Sequence, residues 1–175
     1  MQNFQEFLEN SLNQKIKKLI PLTGGASADI NKIILEDDKE LIVRRSLSKE
    51  QSVMAIPKKL EARIQRVVRS LDAPVPEIIF EFSVDGEIGE GYVMEAIPGE
   101  TIPRKILRGD KYANVRGKLS FEIGRSLATI HQTELDHLGD LDKVSFEESL
   151  KKLYLVYSSF EQPQPVFELA FKWLE

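Results

Sequence analysis

Apolar residues recur along this chain with two different periods, and each change of period marks the passage from one element to the next. Phe4, Phe7, Leu8 and Leu12 fall at helical spacing and predict a short amphipathic opening helix. KIKKLIPL (residues 15–22) then reads as a strand and TGGAS as a turn. INKIILEDDKELIVRRS carries two apolar stretches around Glu36, Asp37 and Asp38, which predicts a hairpin. SLSKEQSVMAIP is polar and loop-like. From Lys58 to Leu71, the residues Leu60, Ile64, Val67, Val68 and Leu71 form one apolar stripe of a helix. DAPVP stops it, because proline lacks a donor and biases its predecessor toward extended geometry.

The remainder follows the same logic. EIIFEFSVDGEIGEGYVMEAI predicts a second hairpin turning at Asp85 and Gly86, and IPGETIP a linker. Val115, Leu119, Ile123, Leu127 and Ile130 line one face of a long helix, and the tail holds one or two more, separated by EQPQP. Strands thus precede a run of helices. That order predicts an α+β fold, a small sheet lobe joined to a helical one.

Composition narrows the classes. With 42 % hydrophobic and 30 % charged residues among 175, the chain has ample core material for a soluble globular protein. No apolar run approaches the roughly 20 residues a membrane helix needs. MQNFQEFLENSL lacks the basic and apolar regions of a signal peptide. There is no cysteine, which excludes disulfides, thiolate metal sites and thiol nucleophiles, and a cytoplasmic location is expected. The net charge of −4 argues against a nucleic-acid partner. It is unevenly spread: Lys39 to Ser70 holds nine Lys or Arg against three Glu, whereas Glu134 to the end holds nine acids against four Lys. The basic segment reads as a solvated helix face, or as a surface that meets the phosphates of a small ligand.

Four segments carry candidate chemistry. In LTGGASADI, between two strands, Gly24 and Gly25 permit close approach of a phosphate and Ser27 offers a donor, although a glycine pair serves an ordinary hairpin equally well. In LIVRR, alternation sets Ile42 and Arg44 on one face and Val43 and Arg45 on the other. A cation at this strand end is a candidate phosphate clamp; alternatively the two are solvated edge arginines, the reading expected for at least one of them, and loss of Arg45 is expected to do little. Glu61 opens the long helix, either as an acid favoured by the helix dipole or as a partner that fixes Arg44. GYVMEAIPGE runs from a buried strand into a break at Pro98 and Gly99. It is an ordinary strand exit, or a crossing between lobes whose backbone pairs with an adenine ring.

The joint order of TGGAS, LIVR, a helix with Glu61, PVP and YVMEAIPGE resembles the N-terminal lobe of the aminoglycoside phosphotransferase family, small-molecule kinases with a protein-kinase-like fold. GEGYVMEAIPGETIPRKILRGDKYANVR…IGRSLATIH is closer still to the branch related to domains fused to acyl-CoA dehydrogenases, and the resemblance runs from about Lys15 to His131. It implies an N-terminal antiparallel-sheet lobe with one main helix over residues 1–95, a hinge and linker over 96–110, and over 111–175 the first helices of an incomplete helical lobe. It implies that Gly24, Gly25 and Ser27 cover the phosphates, and that Arg44 replaces the kinase lysine with Glu61 as its helix partner. Arginine there departs from the protein-kinase pattern and offers a fork, not a point charge. Ile42 joins the cofactor-binding set, and the main chain of Glu95 and Ile97 reads the adenine edge. The implied cofactors are ATP and Mg. The implied partner is a small-molecule hydroxyl acceptor, for which the dehydrogenase-linked branch points to a hydroxyacyl thioester.

HLGDLD, residues 137–142, imitates the family's catalytic motif HGDxxxxN without matching it. Leu138 separates the imidazole from the glycine, and Ser145 stands where the metal-binding Asn belongs. It reads as a polar loop, and His131 as structural. FELAFKWLE resembles the helix that directly precedes the true catalytic loop. The expectation is therefore a nucleotide-binding N-terminal portion without catalytic residues, inactive alone, with metal ligands beyond residue 175. A non-catalytic nucleotide-binding or interaction module is the alternative.

Overall fold

The computed structural model describes residues 3–22, 29–47, 56–139, 141 and 144–174. The chain forms two compact units, Met1–Leu138 and Gly139–Glu175. In the first, α1 (Phe4–Leu12) leads into β1 (Ile16–Pro21), β2 (Asp29–Leu35) and β3 (Glu40–Ser46). Then come α2 (Lys58–Ser70), β4 (Ile78–Val84), β5 (Gly89–Glu95), α3 (Pro103–Arg108) and α4 (Ala113–His131). The five strands make one antiparallel sheet in the order β1-β2-β3-β5-β4.

Each helix of the sheet lobe packs where its apolar residues demand. α1 starts at the Asn3 cap, whose side chain accepts from the Gln5 N–H, and ends at Asn13 in the left-handed region (φ 52°). It buries Leu8 completely against Ile33, Leu35, Leu41, Val43 and Val93, which all point to one face of the sheet. Phe4 and Phe7 flank Phe82 there, the second at 5.2 Å in an edge-on arrangement. This is the main core.

The other face receives α2. It buries Ala62 and Val68, along with Lys58, while Leu60, Ile64, Val67 and Leu71 of the expected stripe are only half-buried. Ala62 packs on Ile78 and Tyr92, where close approach of helix to sheet leaves room for little more than a methyl group. The helix ends at Ser70, and Asp72 (φ 63°) turns the chain just beyond it, in the segment where the prolines predict its end.

Both hairpins turn where the charge and glycine signals place them. Asp38 (φ 62°) follows β2, and Gly86 (φ 85°) joins β4 to β5. α3 was hidden from periodicity: it is six residues long, with Pro103 in its first turn, and Glu100 accepts the N–H groups of Thr101 and Ile102 just ahead of it. In α4 the apolar stripe is present in the expected register, with Val115, Ile123, Leu127 and Ile130 exposed.

The second unit pairs α5 (Phe146–Ser159) with α6 (Pro165–Leu174). Ser145 and Glu148 form a capping box at the start of α5. Tyr154 and Tyr157 of α5 pack against Phe171 of α6, with ring centroids 5.1 and 5.3 Å away. No helix among the described residues is long and apolar enough to cross a membrane.

Candidate functional site

Strand register decides which side chains share the inner face, the one covered by α2. Ile42 lies opposite Met94 and Arg44 opposite Tyr92, with Ile30 of β2 on the far side of Arg44. All five therefore face the same way. Val43 and Arg45 face α1 instead. Arg44 Nε donates to Glu61 Oε2 at 3.0 Å, so the two residues expected to pair are brought together across sheet and helix.

Glu61 has further partners that spacing alone did not single out. Lys58 Nζ donates to Glu61 Oε1 at 2.6 Å, and the Tyr92 hydroxyl donates to Oε2 at 3.2 Å. Lys58 lies one helical turn before Glu61, with its side chain only 5 % exposed. Its backbone N–H donates to a Glu90 carboxylate oxygen at the start of α2. Burial alone would lift the Glu61 carboxyl, but hydrogen bonds from Lys58 and Arg44 outweigh it and hold it below the usual carboxylate range. Burial, joined by the negative charge of Glu61, pushes the Tyr92 phenol up to about 12, so it remains a donor near neutrality.

A cleft of about 540 Å³ opens beside this cluster. Arg44, Glu61, Tyr92 and Gln65 supply its polar wall, and Ile64, Val68, Met94 and Ile130 its apolar one. Gln65 is fixed by donating to the Pro76 carbonyl at 2.8 Å. A guanidinium next to aliphatic side chains suits a ligand that carries both an anionic and an apolar part.

The other expected residues are placed as follows. Glu95 closes β5, where it pairs with Leu41 of β3, and its N–H donates to the Glu77 carbonyl at 2.9 Å. Ile97 follows, exposed, beyond the strand. Gly24, Gly25 and Ser27 lie outside the described residues. The ends of their segment are close, since Leu22 N–H donates to the Ile30 carbonyl at 2.8 Å. Tyr92, Met94 and Ile30 were missed by sequence reasoning, although alternation from Arg44 and Ile42 across paired strands would have found them once the register was known.

Arg45 corrects the expectation of a dispensable edge residue. Its Nε donates to Asp29 Oδ2 at 2.7 Å and its Nη1 to the Glu87 carbonyl at 3.1 Å. The guanidinium also stacks 3.6 Å from the Phe4 ring centroid. It joins α1, β2 and the β4–β5 turn.

In the HLGDLD stretch, residues 135–138 form a 3-10 turn with Leu138 buried, and Gly139 (φ 65°) follows. Asp140 and Asp142 lie outside the described residues. Among the described residues there is no cluster of three His, Asp or Glu suited to a metal ion.

The fold is thus that of an α+β, protein-kinase-like phosphotransferase, with a five-stranded antiparallel sheet and its helices. The phosphotransferase enzyme family model matches residues 18–175, and the chain belongs to that family. Among solved structures it is similar to a thermostable variant of the aminoglycoside phosphotransferase APH(4)-Ia, crystallised as a ternary complex with AMP-PNP and hygromycin B. The TM-score is 0.52 at 14 % identity, over 75 % of this chain and 40 % of that one. The chain therefore spans less than half the length of that structure. No curated protein matches the sequence.

Proposed function

We propose that this chain is the nucleotide-binding N-terminal portion of an ATP-dependent phosphotransferase that phosphorylates a hydroxyl group of a small molecule. The observation that carries the reading is the Arg44–Glu61 pair at 3.0 Å, a strand-borne guanidinium oriented by a helical carboxylate at the mouth of a cleft. Phosphoryl transfer depends on positioning and on charge stabilisation, and an oriented, permanently charged fork provides both for a polyphosphate.

In this proposal residues 1–95 are the nucleotide lobe, 96–110 the hinge and linker, and 111–175 the start of the helical lobe. ATP supplies the phosphoryl group. Arg44 binds its phosphates, and Gly24, Gly25 and Ser27 are the residues proposed to contact them as well. Ile30 and Ile42 form an apolar ceiling for the purine, and the Glu95 carbonyl and Ile97 N–H meet its edge. The AMP-PNP in the similar structure supports a nucleotide as ligand. HLGDLD departs from the spacing of HGDxxxxN, so in this proposal neither the base nor the magnesium ligands are drawn from it. A cytoplasmic setting follows from the use of ATP. The acceptor is a hydroxylated small molecule, with the hydroxyacyl thioester drawn from the dehydrogenase-linked branch.

Isothermal titration of the complete protein with Mg-ATP, ADP and adenosine tests this. Affinity is expected to rise with phosphate number and to fall for all three when Met94→Trp fills the cleft. Equal, negligible heats for ATP and adenosine would overturn the proposal.

A further inference from the structure

Glu61 is shared by two cations in an unusual division. A guanidinium beside a carboxylate ordinarily closes into a two-bond fork, with Nε and one Nη each taking an oxygen. Here only Nε of Arg44 engages, on Oε2, and Tyr92 shares that same oxygen. The second oxygen, Oε1, is taken by Lys58 at 2.6 Å. Among the described residues the two Nη nitrogens of Arg44 carry no hydrogen bond.

We propose that Lys58 is a positioning residue that holds Arg44 to a single bond with Glu61, so that both Nη nitrogens stay available to a nucleotide's phosphates. This rests on the nucleotide reading above. An ammonium in contact with Oε1 satisfies the oxygen that the Arg44 fork would otherwise claim, and it fixes the plane of the carboxylate. Lys58 has little freedom to leave: its side chain is buried, and its own N–H is tied to Glu90. Without it, Oε1 is left half-buried with one cation in reach, and Arg44 closes on both oxygens. That removes one charge-assisted donor from the phosphates and nothing from the purine.

The test is isothermal titration of Mg-ATP and of adenosine into the complete protein, as wild type, Lys58→Met and Lys58→Arg. Methionine fills much the same space without charge. Lys58→Met is expected to weaken Mg-ATP about tenfold, the scale of one hydrogen bond to a charged group. Adenosine affinity stays unchanged, and Lys58→Arg recovers most of the loss. A Lys58→Met protein that binds Mg-ATP within twofold of wild type overturns the inference, as does one that loses adenosine equally. Should methionine prevent folding, Lys58→Gln removes the charge with less disturbance, and a wild-type ratio of the two affinities there is equally fatal. If wild type itself does not prefer Mg-ATP to adenosine, the nucleotide reading falls first; a preference that Lys58→Met leaves intact removes only the role of Lys58.

Discussion

Arg44 and Arg45 are consecutive in β3 and hold acids on opposite faces of the sheet: Arg44 reaches Glu61 of α2 at 3.0 Å, Arg45 reaches Asp29 of β2 at 2.7 Å. The period-two alternation of a strand turns two identical side chains into one candidate ligand and one structural clamp. Their substitutions should therefore separate cleanly.

Arg44→Ala leaves Glu61 with Lys58 and Tyr92, so no buried carboxylate is stranded. Thermal denaturation should move by only a few degrees. Mg-ATP affinity, measured by titration calorimetry, should drop ten- to hundredfold, about 1.5–3 kcal/mol for lost bonds to a charged group.

Arg45→Ala should do the reverse. It removes the pair with Asp29, the bond to the Glu87 carbonyl and the stacking on Phe4. Urea denaturation should show a loss of about 1–3 kcal/mol, since the side chain is only 13 % exposed. Stability equal to wild type would mean that α1 is not anchored by this contact.

Gly91 faces Arg45 across β3 and β5. A Cβ there would stand 2.5 Å from the Arg44 carbonyl oxygen and 2.6 Å from the Phe82 ring. The carbonyl belongs to the sheet and cannot yield as a flexible side chain would. Gly91→Ala should cost about 1–3 kcal/mol, visible as a lower melting temperature, by forcing β3 and β5 apart.

Tyr92 sets an alkaline limit on stability. Its phenol ionises at about 10 when unfolded and at about 12 in the fold. Between those values only the native state keeps the proton, so stability falls as pH rises, by about 3 kcal/mol in all. Tyr92→Phe should lack this limb when chemical denaturation is compared with wild type from pH 9 to 12. An identical slope in both proteins would refute the shift.

Much of the fold was legible because its signals are local. The helix at Phe4, the turn at Asp38 and the break at Asp72 rest on periodicity, left-handed turn residues and proline, each read within a few positions. α3 escaped because six residues make too little periodicity to register. Within the candidate site, Arg44 and Glu61 were identified as possible partners from their elements. Lys58 was not, because a lysine at a helix start ordinarily snorkels into solvent, and only packing shows it buried.

What the amino-acid order determined alone was the succession of the longer elements and which side chains of a strand share a face, since both follow from backbone geometry over short spans. What the tertiary structure decided was pairing. The register of β2, β3 and β5 and the seating of α2 brought Ile30, Arg44, Lys58, Glu61 and Tyr92 to one place. Such pairing depends on how distant elements pack, and no local propensity encodes which cations a half-buried carboxylate will meet.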